Sequence, residues 1–222
     1  MESTREIAVP AATHGRVLVA SPPAPGPLRL LAGFHGYAQS ADDMMEMLRG
    51  IPASAPWTRV SIQALHRFYR GRSEVTVASW MTRQDRELMI GDNLAYVDAA
   101  IAQVAAGRAI ERLAFCGFSQ GVAMAFRAAL RGARQADAVL AVGGDIPPEL
   151  LADRALTFPR VLLARGAREE WYTAARMLAD EAHLRDRGAR VETLTFDGAH
   201  EWHDDFAASA AVVLGSLHAI VE

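Results

Sequence analysis

The chain has 222 residues, is 51% hydrophobic and carries a formal net charge of -3, with a pI near 6.2. These values suit a single globular domain over 1–222 and give no electrostatic reason to expect nucleic acid or an anionic membrane as partner. Cys116 is the one cysteine and all 23 basic residues are arginine, which excludes an internal disulfide, a cysteine-based zinc cluster, lysine Schiff-base chemistry and a serine–lysine dyad.

No run approaches the roughly 18 apolar residues of a membrane span. The opening Met1-Glu2-Ser3-Thr4-Arg5-Glu6 lacks a basic stretch followed by an apolar core. A soluble cytoplasmic protein is expected, with no metal site.

Short apolar runs alternate with helical patterns along the whole chain, the signature of an α/β domain with a mostly parallel sheet. Strands are expected at 16–20, 28–34, 59–64, 112–116, 138–142, 161–165 and 190–196, and helices at 41–48, 92–106, 120–131, 173–187 and 203–221. Ser40 and Thr173 stand where helix N-caps belong. Pro22-Pro23-Ala24-Pro25-Gly26-Pro27 breaks regular structure and suits a turn between two antiparallel opening strands. The stretch 66–91 is the least periodic internal segment, and irregular segments at strand ends are where substrate contacts gather.

Gly117-Phe118-Ser119-Gln120-Gly121 stands between the apolar run Leu113-Ala114-Phe115-Cys116 and the helical stretch Val122-Ala123-Met124-Ala125-Phe126. A Gly-X-Ser-X-Gly at a strand-to-helix turn is the sequence form of a nucleophile elbow, with glycines where a Cβ would collide. The following helix aims its free N–H groups and positive dipole end at a bound carbonyl oxygen. Ser119 is therefore the candidate nucleophile. The alternative for the same residues is a glycine-rich turn with an incidental serine. Without lysine, the base for Ser119 has to be a histidine.

In such an arrangement the acid and then the histidine follow the serine in chain order. His200, in Asp197-Gly198-Ala199-His200-Glu201-Trp202, falls just past the last expected strand, at the sheet edge where ligands bind. An imidazole there can take the serine proton and return it to a leaving group. His14, His66, His183, His203 and His218 are read as ordinary surface or interface residues. For the acid, Glu169, just past the strand at 161–165, is the candidate that would orient the imidazole; Asp145, after the previous strand, is the competing site and Glu170 the third option. The alternative for Glu169 and Glu170 is stabilising charge at a helix N-terminus.

An oxyanion hole needs a second N–H from the loop after an early strand. His35-Gly36-Tyr37-Ala38 fits that loop, so the backbone N–H groups of Tyr37 and Gln120 are the expected donors, with His35 shaping the loop. Cys116 lies three positions before the elbow serine and reads as a small buried apolar residue.

Phe34-His35-Gly36-Tyr37, Gly117-Phe118-Ser119-Gln120-Gly121, Gly166-Ala167-Arg168-Glu169 and Gly198-Ala199-His200-Glu201, in that order, resemble the phospholipase/carboxylesterase family of α/β-hydrolases, which includes acyl-protein thioesterases. The resemblance implies an α/β-hydrolase fold, mostly parallel with helices on both faces and no cap domain, acting on carboxylic esters or thioesters without a cofactor. Two departures stand out. Glu169 occupies a position where the family usually has aspartate, and Val122 follows Gly121 where close thioesterase relatives carry a second glycine, so acyl-protein or phospholipid specificity is not carried over.

Tyr37, Trp80, Met81 and Trp171 fall in loops beside these segments and are expected to line the substrate site, although Trp80 and Trp171 suit a packed core as well. Arg67, Arg70, Arg72, Arg83 and Arg86 would favour an anionic leaving group or simply solvate a loop. The expected partner is a small-molecule ester, and a homodimer stays open. Rival readings are a dienelactone-type or peptide-cleaving hydrolase and a non-catalytic binding protein on the same scaffold.

Overall fold

A computed structural model describes residues 3–23, 25–52 and 55–217. Among them the elements run β1 (Arg16–Ala20), β2 (Leu28–Phe34), α1 (Ala41–Arg49), β3 (Thr58–Gln63), β4 (His66–Tyr69), β5 (Thr76–Ser79), α2 (Arg86–Ala105), β6 (Ile110–Phe118), α3 (Gln120–Arg131), β7 (Ala138–Val142), α4 (Pro148–Ala152), β8 (Arg160–Gly166), α5 (Ala174–Asp186), β9 (Val191–Phe196) and α6 (Asp204–Ser216). Seven strands form one sheet in the order β1-β3-β2-β6-β7-β8-β9. The β1 strand is antiparallel to β3, and the other neighbouring pairs are parallel.

Side chains two apart on a strand share a face, and here each face is buried. From β7, Val139 and Ala141 enter one core with Val97 and Ile101 of α2, Phe126 of α3 and Leu184 of α5. Ala138, Leu140 and Val142 enter the other with Met44 and Leu48 of α1 and Phe206 and Leu214 of α6. Burial on both faces is why the central strands read as continuous apolar runs. Phe206 is wholly buried, and its truncation to alanine would cost about 3–5 kcal/mol.

Helix starts follow local chemistry. The Ser40 side chain accepts from Asp43 N–H while the Asp43 carboxylate accepts from Ser40 N–H, a reciprocal capping box before α1. Thr173 accepts from Arg176 N–H before α5.

Several expectations need correction. Opening strands β1 and β2 run in opposite directions but are not paired, because β3 lies between them. The irregular stretch after residue 66 holds the antiparallel hairpin β4–β5, and α2 begins at Arg86, six residues before the expected start at 92. Helix α4 is a five-residue turn opened by Pro148. For α6 the description ends at residue 217, so 218–221 of the expected helix and His218 lie outside the described residues. No helix among the described residues is long and apolar enough to cross a membrane.

Candidate active site

The order of the sheet reverses between β2 and β6: the chain steps outward from β2 to β3 on one side and from β6 through β9 on the other. Ligand crevices form outside the carboxyl ends of strands at such a switch point. Phe34 is in register with Gly117, which sets the loop after β2 against the loop after β6.

Ser119 stands alone between β6 and α3 with φ 54° and ψ -121°, a conformation worth about 1–3 kcal/mol of strain that surrounding structure must hold. Its N–H donates to Val142 O at 2.9 Å and its carbonyl accepts from Val122 N–H at 3.0 Å. The flanking glycines have no alternative. A Cβ on Gly121 would lie 2.0 Å from Phe34 O, and one on Gly117 would lie 2.6 Å from Gly121 O.

His200 reaches Ser119 from the loop after β9, with Nε2 2.8 Å from Oγ. Its Nδ1 lies 2.6 Å from Glu169 Oε2. Those two contacts fix the tautomer: Nδ1–H donates to the carboxylate, leaving Nε2 to accept from the serine hydroxyl. The imidazole packs on the Phe118 ring at 5.2 Å between centroids. Two backbone bonds dock the loops to one another, Ala167 N–H to Phe196 O and Arg168 N–H to Gly198 O, both 2.8 Å. The Glu169 carboxylate is 1% exposed, and its Oε1 accepts from Trp171 N–H at 2.8 Å and Tyr172 N–H at 3.4 Å.

Asp145 and Glu170 are not at this relay. Asp145 is exposed and pairs with Arg176 at 3.4 Å, and Glu170 faces solvent. Cys116 is fully buried, and burial pushes its thiol up, so it holds no reactive thiolate.

Gln120 opens α3, where its N–H has no acceptor within the helix. Its side chain is committed elsewhere: Oε1 accepts from Trp80 N–H at 2.9 Å and Nε2 donates to Met81 O at 3.1 Å. The loop carrying Tyr37 is closed by Gly36 N–H donating to Gln39 Oε1 at 2.7 Å. His35 beneath it is buried, donates from Nδ1 to Gly36 O at 2.7 Å and accepts at Nε2 from Ala64 N–H at 3.1 Å. Burial holds this imidazole below its usual range, so it is a neutral part of the frame.

A cavity of about 300 Å³ opens at Ser119, lined by Gln120, Ala123, Gly144, Trp171, Tyr172 and Arg176 among others. Trp171 stands 73% exposed on its rim. Trp80 is a correction. The Trp80 indole is wholly buried and donates from Nε1 to His35 O at 2.9 Å. Met81 packs on the main core with its sulfur 3.7 Å from Arg127 Nη1. Aromatic character drew the Trp80 ring inward, while Met81 stays half-buried. The Tyr37 ring is exposed and lies 5.6 Å from Phe68.

Of the arginines in the irregular stretch, Arg72 and Arg83 are exposed, while Arg67, Arg70 and Arg86 serve the fold. Arg67 donates to His14 O, Arg70 to Ala38 O at 2.8 Å, and Arg86 pairs with Glu87 and Glu149. Among the other histidines, His14 is exposed, while His66 contacts Met89 sulfur, His183 meets Phe158 edge-on, and His203 caps α6 and stacks on Phe196.

Gly143 is a further residue of the site. It has φ +68°, and a Cβ there would lie 3.2 Å from His200 Nδ1 and 3.4 Å from Glu169 Oε2. The Gly143-Gly144 pair directly after a strand was the available signal.

A phospholipase/carboxylesterase family model matches residues 33–208, a span that holds the elbow and both loops that meet it. The chain belongs to the phospholipase/carboxylesterase family. It is accordingly a hydrolase, and its sheet is the mostly parallel sheet of the α/β-hydrolase fold. Solved structures of similar fold include esterase PE8 (21% identity, 92% of this chain and 100% of that chain covered, TM-score 0.74). The Bacillus cereus carboxylesterase is 12% identical over 91% of this chain and 94% of that chain, with TM-score 0.70. Zea mays acyl-protein thioesterase 2 is 15% identical over 91% of this chain and 100% of that chain, with TM-score 0.65. At these identities the structures speak for the shared fold. No curated protein matches the sequence.

Proposed function

We propose that this hydrolase cleaves carboxylic esters, thioesters included, through an acyl-enzyme on Ser119. The observation that carries the reading is the unbroken relay from Ser119 Oγ through His200 to the buried Glu169 carboxylate. His200 Nε2 takes the hydroxyl proton as Oγ attacks the carbonyl carbon. The N–H groups of Gln120 and Tyr37 receive the developing oxyanion, a contribution of about 3–4 kcal/mol per donor in related chemistry. Collapse expels the alcohol or thiol, which leaves with the proton from His200. Water then attacks the acyl-enzyme with His200 again as base, releasing the acid and restoring Ser119. Glu169 holds Nδ1–H throughout and stabilises the imidazolium.

Trp171 stands exposed at the substrate cavity, whose lining is small at Ala123 and Gly144, which suits a small-molecule ester. The single cysteine suits a reducing, cytoplasmic setting. The test is a panel of p-nitrophenyl esters, acyl thioesters, lactones and amides, with fluorophosphonate labelling of the serine. Ester turnover with labelling at Ser119 is expected. Turnover confined to lactones or amides would move the enzyme to another hydrolase class, and absence of both turnover and labelling would make it a binding protein.

A further inference from the structure

Between β8 and α5 the chain has to turn Glu169 inward while its neighbours Arg168, Glu170 and Trp171 face solvent. Residues 167–173 contain no helix or strand to organise their peptide groups, and carbonyls that point inward need donors. Three of them find the same one. Arg165, at the end of β8 and 6% exposed, donates from Nε to Tyr172 O at 2.9 Å and from Nη2 to Glu169 O at 3.2 Å and Ala167 O at 3.3 Å. No ion pair among the described residues involves this guanidinium within 4.0 Å, so its charge is met by backbone carbonyls.

The same loop is held from the opposite side by the acid itself, since Glu169 Oε1 accepts the N–H groups of Trp171 and Tyr172. Tyr172 is thus bound at its N–H by Glu169 and at its carbonyl by Arg165. Its hydroxyl donates to Asp180 Oδ2 at 3.0 Å, tying the loop to α5. Moving the Arg165 anchor would release Ala167, Glu169 and Tyr172 together and let the carboxylate swing from His200.

We infer that Arg165 is a positioning residue for the acid of the triad: its planar fork gathers three carbonyls of the 167–172 loop and so fixes where the Glu169 carboxylate meets His200. The inference rests on the triad proposed above. An ammonium cannot replace it, because lysine offers a point charge on a flexible stem where the fork offers donors in fixed directions. A 1 Å displacement of a catalytic group is enough to lower rate about a hundredfold, so a loop built without regular structure needs such an anchor.

The experiment is a double-variant cycle on the full chain with a p-nitrophenyl ester, measuring kcat, KM and melting temperature for R165M, R165K, E169Q and the combined variants. R165M is expected to lower kcat by about tenfold or more, with a smaller change in KM and R165K in between. In the E169Q background, R165M is expected to change kcat by less than about twofold, because residues that act through one group are not additive. Equal factors in both backgrounds, or wild-type kcat for R165M, would overturn the inference while leaving the triad standing. A fully active E169Q would instead remove the triad reading itself. If R165M does not accumulate folded, R165K in the two backgrounds decides the matter on the same criterion.

Discussion

Glu169 presents one carboxylate oxygen to His200 and keeps the other for its own backbone: Oε2 lies 2.6 Å from His200 Nδ1, while Oε1 accepts from Trp171 and Tyr172 N–H. A glutamate arm long enough to curl back on its loop satisfies all three donors. Glu169→Gln keeps the size but removes the charge and disfavours the Nδ1–H tautomer, so kcat is expected to fall by about 10⁴. Asp145→Asn, which loses an exposed pair with Arg176 and no contact with the relay, and Glu170→Gln are expected within about threefold of wild type. Steady-state ester kinetics on the three variants check this, and an inactive Asp145→Asn enzyme would transfer the acid role.

Ser119→Ala and His200→Ala should each remove ester hydrolysis by about 10⁴ or more, since members of a relay act as a unit. Neither should unfold the protein, and Ser119→Ala should abolish fluorophosphonate labelling. Cys116→Ala, by contrast, should retain turnover, because that buried thiol takes no part in the relay. Active-site titration alongside circular dichroism separates lost chemistry from lost structure.

Gly143→Ala tests how closely the backbone approaches the relay. With φ at +68° and His200 Nδ1 3.2 Å from the added Cβ, the variant is expected to lose about 1–2 kcal/mol of stability from left-handed strain. The contact should also push the imidazole aside, with a fall in kcat of about tenfold or more. Denaturant melts and kinetics on one preparation would show both, and unchanged kcat would mean the relay tolerates the intrusion.

Asp180 supplies a pH dependence with a definite sign. It is buried and accepts from Tyr172 OH at 3.0 Å and Ile146 N–H at 3.3 Å; burial, with Asp145 nearby, pushes its carboxyl up to about 6 against the pull of those two hydrogen bonds and of Arg176. A carboxyl raised on folding binds its proton more tightly in the native state, so stability falls as pH rises from about 4 to about 6. Asp180→Asn keeps a carbonyl acceptor for both donors and has no charge to bury. Its stability relative to wild type should therefore grow across that window, reaching about 2 kcal/mol at pH 7.5. Urea melts at pH 4.5 and 7.5 measure the difference, and a gap that does not widen with pH would refute the assignment.

The central strands of the main sheet are legible because burial on both faces writes them as apolar runs, and β2 and β7 have the expected ends. The β4–β5 hairpin is not, because β4 alternates half-buried His66 and Phe68 with exposed Arg67 and Tyr69, too little apolar signal to separate from a loop. The start of α2 is hidden for a different reason: Asp85, its N-cap, sits in a left-handed conformation and makes no side-chain cap bond, so no capping pattern marks it. The serine and histidine of the relay are legible through motif and chain order. Arg165 and Tyr172 are not, because what they do arises where the ends of β7, β8 and β9 converge, and nothing in their local sequence records that meeting.

The burial of Cys116 has a practical consequence for labelling. It is the one cysteine in the 222-residue chain, it is inaccessible, and there is no lysine to compete for electrophiles. A cysteine introduced by Tyr69→Cys, at a position 66% exposed on the β4–β5 hairpin, would then be the sole thiol open to maleimide. A fluorophore attached there would report on the hairpin beside Tyr37 during turnover, without the background that scattered thiols and amines impose on most proteins.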